Sequence, residues 1–123
     1  MMKNILILDD DPVICALLKS FLSLRRYKVQ SIMVWEDALK LMAKESFEII
    51  LTDLQMPGIG GSEIIKKIRD INPNVKLIAM SGDTSFDKLP ANLKAHIPFL
   101  PKPFKLQEVE KLLISLNSPD QKE

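Results

Sequence analysis

The chain has 123 residues, of which 46% are hydrophobic and 27% charged, so it is long enough for one domain with its own core and too short for two. Seventeen basic residues against sixteen acidic ones leave a net charge of +1, which argues against a nucleic-acid partner because such binding needs a basic face. Cys15 is the single cysteine, which excludes an intrachain disulfide, and no apolar run reaches the length of a membrane span. A cytoplasmic protein with no membrane partner is therefore expected.

Short apolar runs, typical of strands buried on both faces, alternate along the chain with apolar residues at helical spacing. The predicted strands are residues 5–8, 29–34, 49–51, 75–80 and 97–100. The first helix begins at Pro12, and its apolar stripe is Ile14, Leu17, Leu18, Phe21 and Leu22. Later helices are predicted from the same spacing within residues 35–42, 64–71 and 106–116.

This order, a strand followed by a helix and repeated five times, predicts an α/β fold. We expect a doubly wound parallel sheet of five strands, (βα)5, with helices on both faces. The fourth helix should lie between Thr84 and His96, but Pro90 falls in its middle, so we expect that helix to be short, broken or kinked. One domain is expected over residues 1–118, with a polar tail over residues 119–123.

Polar side chains follow the ends of four predicted strands. Asp9 and Asp10 come after the first strand, Asp53 after the third, Ser81 after the fourth and Lys102 after the fifth. In an open parallel sheet, ligands bind outside the carboxyl ends of the strands, so these side chains should converge at one edge.

Three carboxylates at one place repel each other unless a cation neutralises them, and carboxylate oxygens with water select a hard metal such as Mg²⁺. Lys102 and the hydroxyl of Ser81 would add an anion site beside the metal, which suits a phosphoryl group. A carboxylate in that position can also act as the nucleophile and form an acyl phosphate.

Four motifs in order resemble the signature of response-regulator receiver domains, and the resemblance covers essentially the whole chain. The motifs are Leu8-Asp9-Asp10, the run Leu51-Thr52-Asp53-Leu54-Gln55-Met56-Pro57-Gly58, the pair Met80-Ser81, and Phe99-Leu100-Pro101-Lys102-Pro103-Phe104. The resemblance implies a flavodoxin-like strand order of 2-1-3-4-5. It also implies a cis Lys102–Pro103 bond, which proline makes accessible.

The resemblance further implies the metal site and the phosphoacceptor. Asp53 would take a phosphoryl group from a phosphohistidine on a sensor histidine kinase or a histidine phosphotransfer domain. Asp10 and Asp53 would bind Mg²⁺ directly, Asp9 would bind it through water, and the backbone carbonyl of Gln55 would complete the protein ligands. The chain would then be a single-domain response regulator, catalysing only its own phosphotransfer and dephosphorylation, rather than an enzyme acting on other substrates.

A switch is implied as well. Lys102 would pair with the phosphoryl oxygens, while Ser81 would move toward them and draw Phe99 inward. The signal would pass to a protein effector at the face formed by the fourth helix, fifth strand and fifth helix, in a monomer or in a dimer formed on phosphorylation. Phe99 stands where tyrosine is common, and Pro90 alters the fourth helix, so the choice of effector is open.

Other interpretations remain for the same residues. Asp9 and Asp10 could cap the first helix, and Ser81-Gly82-Asp83 could be a turn. The start of the chain also resembles haloacid-dehalogenase-type phosphatases, in which Asp9 would be the nucleophile and Asp11 the general acid. Against this, the chain is short for that family and the run around Asp53 would go unexplained. Flavin binding has only the fold in its favour.

Overall fold

Five strands and five helices alternate along the part of the chain that the structure, a computed structural model, describes, residues 3–117. The strands are β1 Asn4–Leu8, β2 Lys28–Ile32, β3 Ile49–Asp53, β4 Lys76–Ser81 and β5 Phe99–Pro101. The helices are α1 Pro12–Leu24, α2 Trp35–Lys44, α3 Gly61–Ile71, α4 Ala91–Lys94 and α5 Leu106–Asn117. The predicted alternation is confirmed. The polar tail predicted over residues 119–123 lies outside the described residues, so the domain boundary stays a prediction.

The strands form one parallel sheet in the order β2-β1-β3-β4-β5, which confirms the doubly wound arrangement. In register, Ile5 of β1 lies between Val29 of β2 and Ile49 of β3. The chain order reverses between β1 and β3. In sheets of this kind the crevice outside the carboxyl ends of the strands at that reversal is where ligands bind.

Two apolar clusters fill the space between the sheet and its helices, because successive residues of a strand point to opposite faces. Ile5 and Ile7 belong to one cluster, which α1 and α5 cover. Leu6 and Leu8 belong to the other, which α2 and α3 cover. All four side chains are completely buried, so the strands are apolar throughout rather than alternating.

Helix α1 is capped and oriented by its own sequence. The carboxylate Oδ1 of Asp11 accepts a hydrogen bond of 2.9 Å from the backbone N–H of Val13, and Pro12 occupies the first helical position. The buried residues are Cys15, Leu18 and Leu22. The predicted stripe was wrong at Leu17, which is 43% exposed because the helix turns the Cys15 side toward the sheet.

Helix α4 consists of one turn. Pro90 is its N-cap residue, and the backbone N–H groups of Leu93 and Lys94 both bond to the carbonyl of Pro90. The segment 82–89 before it forms bends and turns, so the prediction of a short fourth helix is confirmed. The side chains of Leu89 and Ile97 still reach the α2/α3 side of the core.

Two loops at the carboxyl edge have special backbone geometry. The loop from β3 to α3 turns at Gly58, whose φ of 82° lies in the left-handed region that glycine adopts without a steric penalty. The loop after β5 contains a cis bond between Lys102 and Pro103, as predicted.

Candidate functional site

Four charged residues from three strand ends meet at the carboxyl edge of the sheet. One carboxylate oxygen from each of Asp9, Asp10 and Asp53 lies within 4.8 Å of the other two. The ammonium Nζ of Lys102 lies 2.7 Å from Oδ2 of Asp9 and 3.3 Å from Oδ2 of Asp53. The structure therefore brings together four of the five residues that the strand-end pattern singled out, whereas Ser81 contacts Gln55 and Asp83 instead.

The three carboxylates differ sharply in exposure. Asp9 is completely buried and Asp53 is 3% exposed, whereas Asp10 faces solvent. Oδ1 of Asp9 accepts a 2.9 Å bond from the N–H of Asp11, but Oδ2 has no aligned hydrogen-bond donor, although Lys102 is in contact with it. Lys102 supplies only one positive charge against the three carboxylates gathered here, and a bound divalent cation would balance the rest. The donor set thus fits a hard divalent cation.

Lys102 compensates part of the negative charge. Burial by itself lowers the pKa of Lys102, but the contact and charge of Asp9, together with Asp53, outweigh it and the pKa is raised. The pKa of Asp9 is raised by desolvation, even though Lys102 and the N–H of Asp11 act in the opposite direction. Lys102 is therefore held as an ammonium between Asp9 and Asp53.

The carboxylate of Asp53 is fixed at both oxygens. Oδ1 accepts a 2.9 Å bond from the N–H of Gln55, and Oδ2 faces Lys102. Both contacts come from loops that leave the same edge of the sheet. One oxygen is thus tied to the loop after β3, and the other lies on the side of the site from which Lys102 approaches.

Ser81 is buried at the end of β4, and its hydroxyl is engaged in a network of hydrogen bonds. Oγ of Ser81 donates to Oδ1 of Asp83 at 2.6 Å and lies 3.4 Å from Oε1 of Gln55. Nε2 of Gln55 donates to Oδ2 of Asp83 at 2.9 Å. Hydrogen bonds from Ser81 and Ser85 lower the pKa of Asp83 to about 2, so its carboxylate is charged. Sequence reasoning did not find this network, because Ser81-Gly82-Asp83 has the composition of an ordinary turn.

Phe99 at the start of β5 is half-buried against another aromatic ring. Its ring centroid lies 4.4 Å from that of Phe86, and the two planes are nearly parallel, at 11°. Nζ of Lys94 lies 5.5 Å from the centroid of the Phe86 ring. Phe99, at the position predicted to be a switch, is thus in contact with the segment that precedes α4.

Cys15 lies next to the site but does not join it. Its thiol donates to the backbone carbonyl of Asp9 at 3.2 Å. Desolvation, with the charges of Asp9 and Asp11, raises the pKa of Cys15, so the thiol stays protonated and unreactive.

The geometry of the described residues does not support the phosphatase interpretation, in which Asp11 would be the general acid. Its carboxylate is exposed, and one of its oxygens is occupied as the N-cap of α1. Asp9, the nucleophile in that interpretation, is fully buried against Lys102.

Comparison with known proteins shows the family to which the chain belongs. A family model described as the response regulator receiver domain matches residues 5–114. The transcriptional regulatory protein MalR of Bacillus subtilis is 30% identical over 115 residues, which are 91% of this chain and 49% of MalR. The chain spans about half the length of the curated relatives it matches.

Two solved structures extend the comparison. The response regulator TrrA of Thermotoga maritima, solved in complex with Mg²⁺ and beryllium fluoride, is 29% identical with a TM-score of 0.82, over 94% of this chain and 99% of TrrA. A response regulator of Burkholderia pseudomallei, solved with a phosphorylated aspartic acid, a calcium ion and citrate, is 28% identical with a TM-score of 0.78. That match covers 98% of this chain and 69% of the other.

In the described part of the chain, the helices are all too short or too polar to cross a membrane.

Proposed function

Since the chain belongs to the response regulator receiver domain family, we propose that it takes up a phosphoryl group on Asp53 in a reaction that requires Mg²⁺. One observation carries the proposal: three carboxylates and one ammonium from three strand ends meet at a single point. Two relatives support it, since one was solved with Mg²⁺ and beryllium fluoride and another with a phosphorylated aspartic acid.

In this proposal Asp10 and Asp53 would bind Mg²⁺ directly, the backbone carbonyl of Gln55 would complete the protein ligands, and the buried Asp9 would act through water. When bound, Mg²⁺ neutralises the carboxylates and the charge on the incoming phosphoryl oxygens. Lys102 supplies one positive charge against three carboxylates, and this imbalance supports a cation at this place.

The transfer itself uses Asp53 as the nucleophile. An oxygen of its carboxylate attacks the phosphorus of a phosphohistidine, so that an O–P bond forms and the P–N bond breaks. The electron pair of the broken bond goes to the imidazole nitrogen of the donor. Lys102 lies on the side of Oδ2 and stabilises the charge on the phosphoryl oxygens, and the hydroxyl of Ser81 donates a hydrogen bond to one of them.

The partners follow from this chemistry and from one surface. The donor is a sensor histidine kinase or a histidine phosphotransfer domain. The effector is a protein that contacts the face of α4, β5 and α5, where a groove of about 260 Å³ is lined by Phe99, Leu100, Pro101, Glu108, Lys111 and Leu112. The groove combines apolar side chains with one acidic and one basic residue, which suits a protein partner.

We further propose that the receiver works as a single domain that signals through these contacts and catalyses only its own phosphotransfer and dephosphorylation. TrrA, which this chain covers over 99% of its length, supports a regulator of this size. The curated relatives are about twice as long, so the mass of the native protein, measured on an immunoblot of source cells, decides between the two arrangements.

The decisive experiment is intact mass spectrometry after incubation with Mg²⁺ and acetyl phosphate. The wild-type chain should gain the mass of one phosphoryl group, and Asp53→Asn should gain none because an amide cannot form the acyl phosphate. Asp11→Asn is the matched control, since its carboxylate caps α1 and lies outside the metal cluster. It should be labelled like the wild type.

Chelation of Mg²⁺ should abolish labelling of the wild type. If the acyl phosphate hydrolyses too fast to be detected by mass spectrometry, the assay is repeated with beryllium fluoride, which mimics the phosphoryl group. Stoichiometric labelling of Asp53→Asn would move the acceptor to another residue and refute the assignment.

A further inference from the structure

The hydroxyl of Ser81 is committed to a partner that is not the phosphoacceptor. Ser81 is 1% exposed, and its Oγ donates to Oδ1 of Asp83 at 2.6 Å while accepting a 3.2 Å bond from the N–H of Asp83. A hydroxyl carries one proton, so Ser81 cannot donate to Asp83 and to a phosphoryl oxygen on Asp53 at the same time. One bond must break before the other forms.

Asp83 is itself held in place from two loops. The N–H of Ser85 donates to Oδ1 of Asp83 at 2.8 Å, and Nε2 of Gln55 donates to Oδ2 at 2.9 Å. The other end of the Gln55 amide accepts a 3.0 Å bond from the N–H of Gly82. Gln55, Ser81 and Asp83 thus form a clasp that joins the loop after β3 to the loop after β4.

We propose that Asp83 is a positioning residue which holds Ser81 in the orientation of the unphosphorylated receiver, so that phosphorylation must exchange the Ser81–Asp83 bond for a bond to the phosphoryl group. The inference rests on the proposed function, because it requires an acceptor on Asp53. Asp83 acts through Ser81 and touches neither the metal cluster nor Lys102 in the contacts described above. The clasp therefore raises the free energy of reaching the phosphorylated state.

The same segment connects this exchange to the aromatic pair. Phe86 follows Asp83 by three residues, and its ring stacks on Phe99 at 4.4 Å. When the Ser81–Asp83 bond breaks, the segment 83–86 loses a contact at its first residue, while Phe86 at its last residue stacks on Phe99. The position of Ser81 is in this way linked to the face that we assign to the effector.

The test is a double-mutant cycle on the affinity for beryllium fluoride in the presence of Mg²⁺, measured by isothermal titration calorimetry. The four proteins are the wild type, Asp83→Ala, Ser81→Ala and the double variant. Asp83→Ala should bind about tenfold more tightly than the wild type, because the bound state no longer has to break a hydrogen bond to a charged acceptor. In the Ser81→Ala background, Asp83→Ala should change the affinity less than about twofold.

The cycle separates the clasp from simple charge repulsion. Removing a negative charge near the site would tighten binding equally in both backgrounds, and that result would overturn the inference. Weaker binding by Asp83→Ala, as expected if Asp83 merely shaped the site, would overturn it as well. Asp87→Ala is the matched control, because Asp87 is an exposed acid on the same segment outside the clasp, and it should leave the affinity unchanged.

Failure of the proposed function gives a different result. A wild-type chain that binds no beryllium fluoride with Mg²⁺ would refute phosphorylation of Asp53 itself. Binding by the wild type with an additive cycle would leave the proposed function standing and remove only the role of Asp83.

Discussion

Lys102 lies between two carboxylates that are almost completely withdrawn from water. Asp9 and Asp53 are 0% and 3% exposed, and the side chain of Lys102 is 19% exposed. Taking charges out of water is expensive, and a buried charge left without its partner destabilises a protein strongly. The ammonium group of Lys102 therefore stabilises the fold, in addition to the role that we propose for it in phosphotransfer.

We predict that Lys102→Met lowers the free energy of unfolding by about 2 kcal/mol in the absence of divalent cations. The figure lies below the range for fully buried pairs because Lys102 keeps some contact with solvent. Mg²⁺ should restore part of the loss, since binding to the native state alone stabilises it by mass action. Urea denaturation with EDTA and with Mg²⁺ measures both effects.

Lys105→Met is the control for this prediction, because Lys105 is an exposed lysine three residues further along the chain. It should leave the free energy of unfolding unchanged within about 0.5 kcal/mol. If Lys102→Met behaved like Lys105→Met without Mg²⁺, the carboxylates would have to be satisfied by another group, and our account of the charge balance would be wrong.

The shortness of α4 sets the face that we propose for the effector apart from a face built on a long helix. The helix spans Ala91–Lys94 and buries none of its side chains. Pro90 precedes it and lacks an N–H, so the helix cannot extend toward Thr84 through regular hydrogen bonds. Phe86, in the segment that would otherwise be helical, stacks on Phe99 instead.

We predict that Pro90→Ala extends α4 toward Thr84 by about one turn. Alanine restores the backbone donor, removes the clash with the preceding turn and has the highest helix propensity. Backbone chemical shifts from NMR should become helical over residues 86–90, with a change in the free energy of unfolding below about 1 kcal/mol. Unchanged shifts would mean that tertiary contacts of Leu89 and Phe86, rather than proline, end the helix.

The strands and helices of this fold are predictable from the sequence where burial imposes a regular spacing of apolar residues. Ile49 to Leu51 form a continuous apolar run because both faces of β3 are covered, and the polar residues after the strands mark their carboxyl ends. The end of β2 was predicted wrongly, since Met33 and Val34 are apolar but each 48% exposed and lie beyond the strand. Hydrophobicity alone does not separate these two residues from the strand.

The charged cluster of the site was predictable for a similar reason. The hydrogen bonds among Gln55, Ser81 and Asp83 beside it were not. Asp9, Asp53 and Lys102 follow strands of one parallel sheet, so topology alone brings them together. The clasp joins Gln55 to Asp83 across 28 residues through side-chain conformations that no periodic pattern records. Contacts of this kind become visible only when both loops are in place.

At the scale of the whole molecule, the sheet divides the interior into two separate cores. Val109 and Leu113 of α5 are buried in the core that α1 also covers, and Leu113 is 1% exposed. Ile114, the next residue, is 59% exposed. Neighbouring positions on one helix therefore differ almost completely in burial.

We predict that Leu113→Ala lowers the free energy of unfolding by about 3 kcal/mol, the usual cost of lost transfer free energy plus a cavity in a packed core. Ile114→Ala, the matched control, should cost less than about 1 kcal/mol because its side chain buries little surface. Urea denaturation of both variants gives the comparison. Equal costs would show that α5 packs against the sheet with a different face.

The contact between Lys102 and Asp53 joins residues that are 49 positions apart, and Lys102 reaches further still to Asp9. Closing so long a stretch of chain costs entropy, which the contacts of the complete sheet must offset before the contact can form. The four charged residues come from the ends of β1, β3 and β5, so they meet only when these three strands are all in place in one sheet. The site that we propose therefore depends on the complete fold rather than on any single segment of the chain.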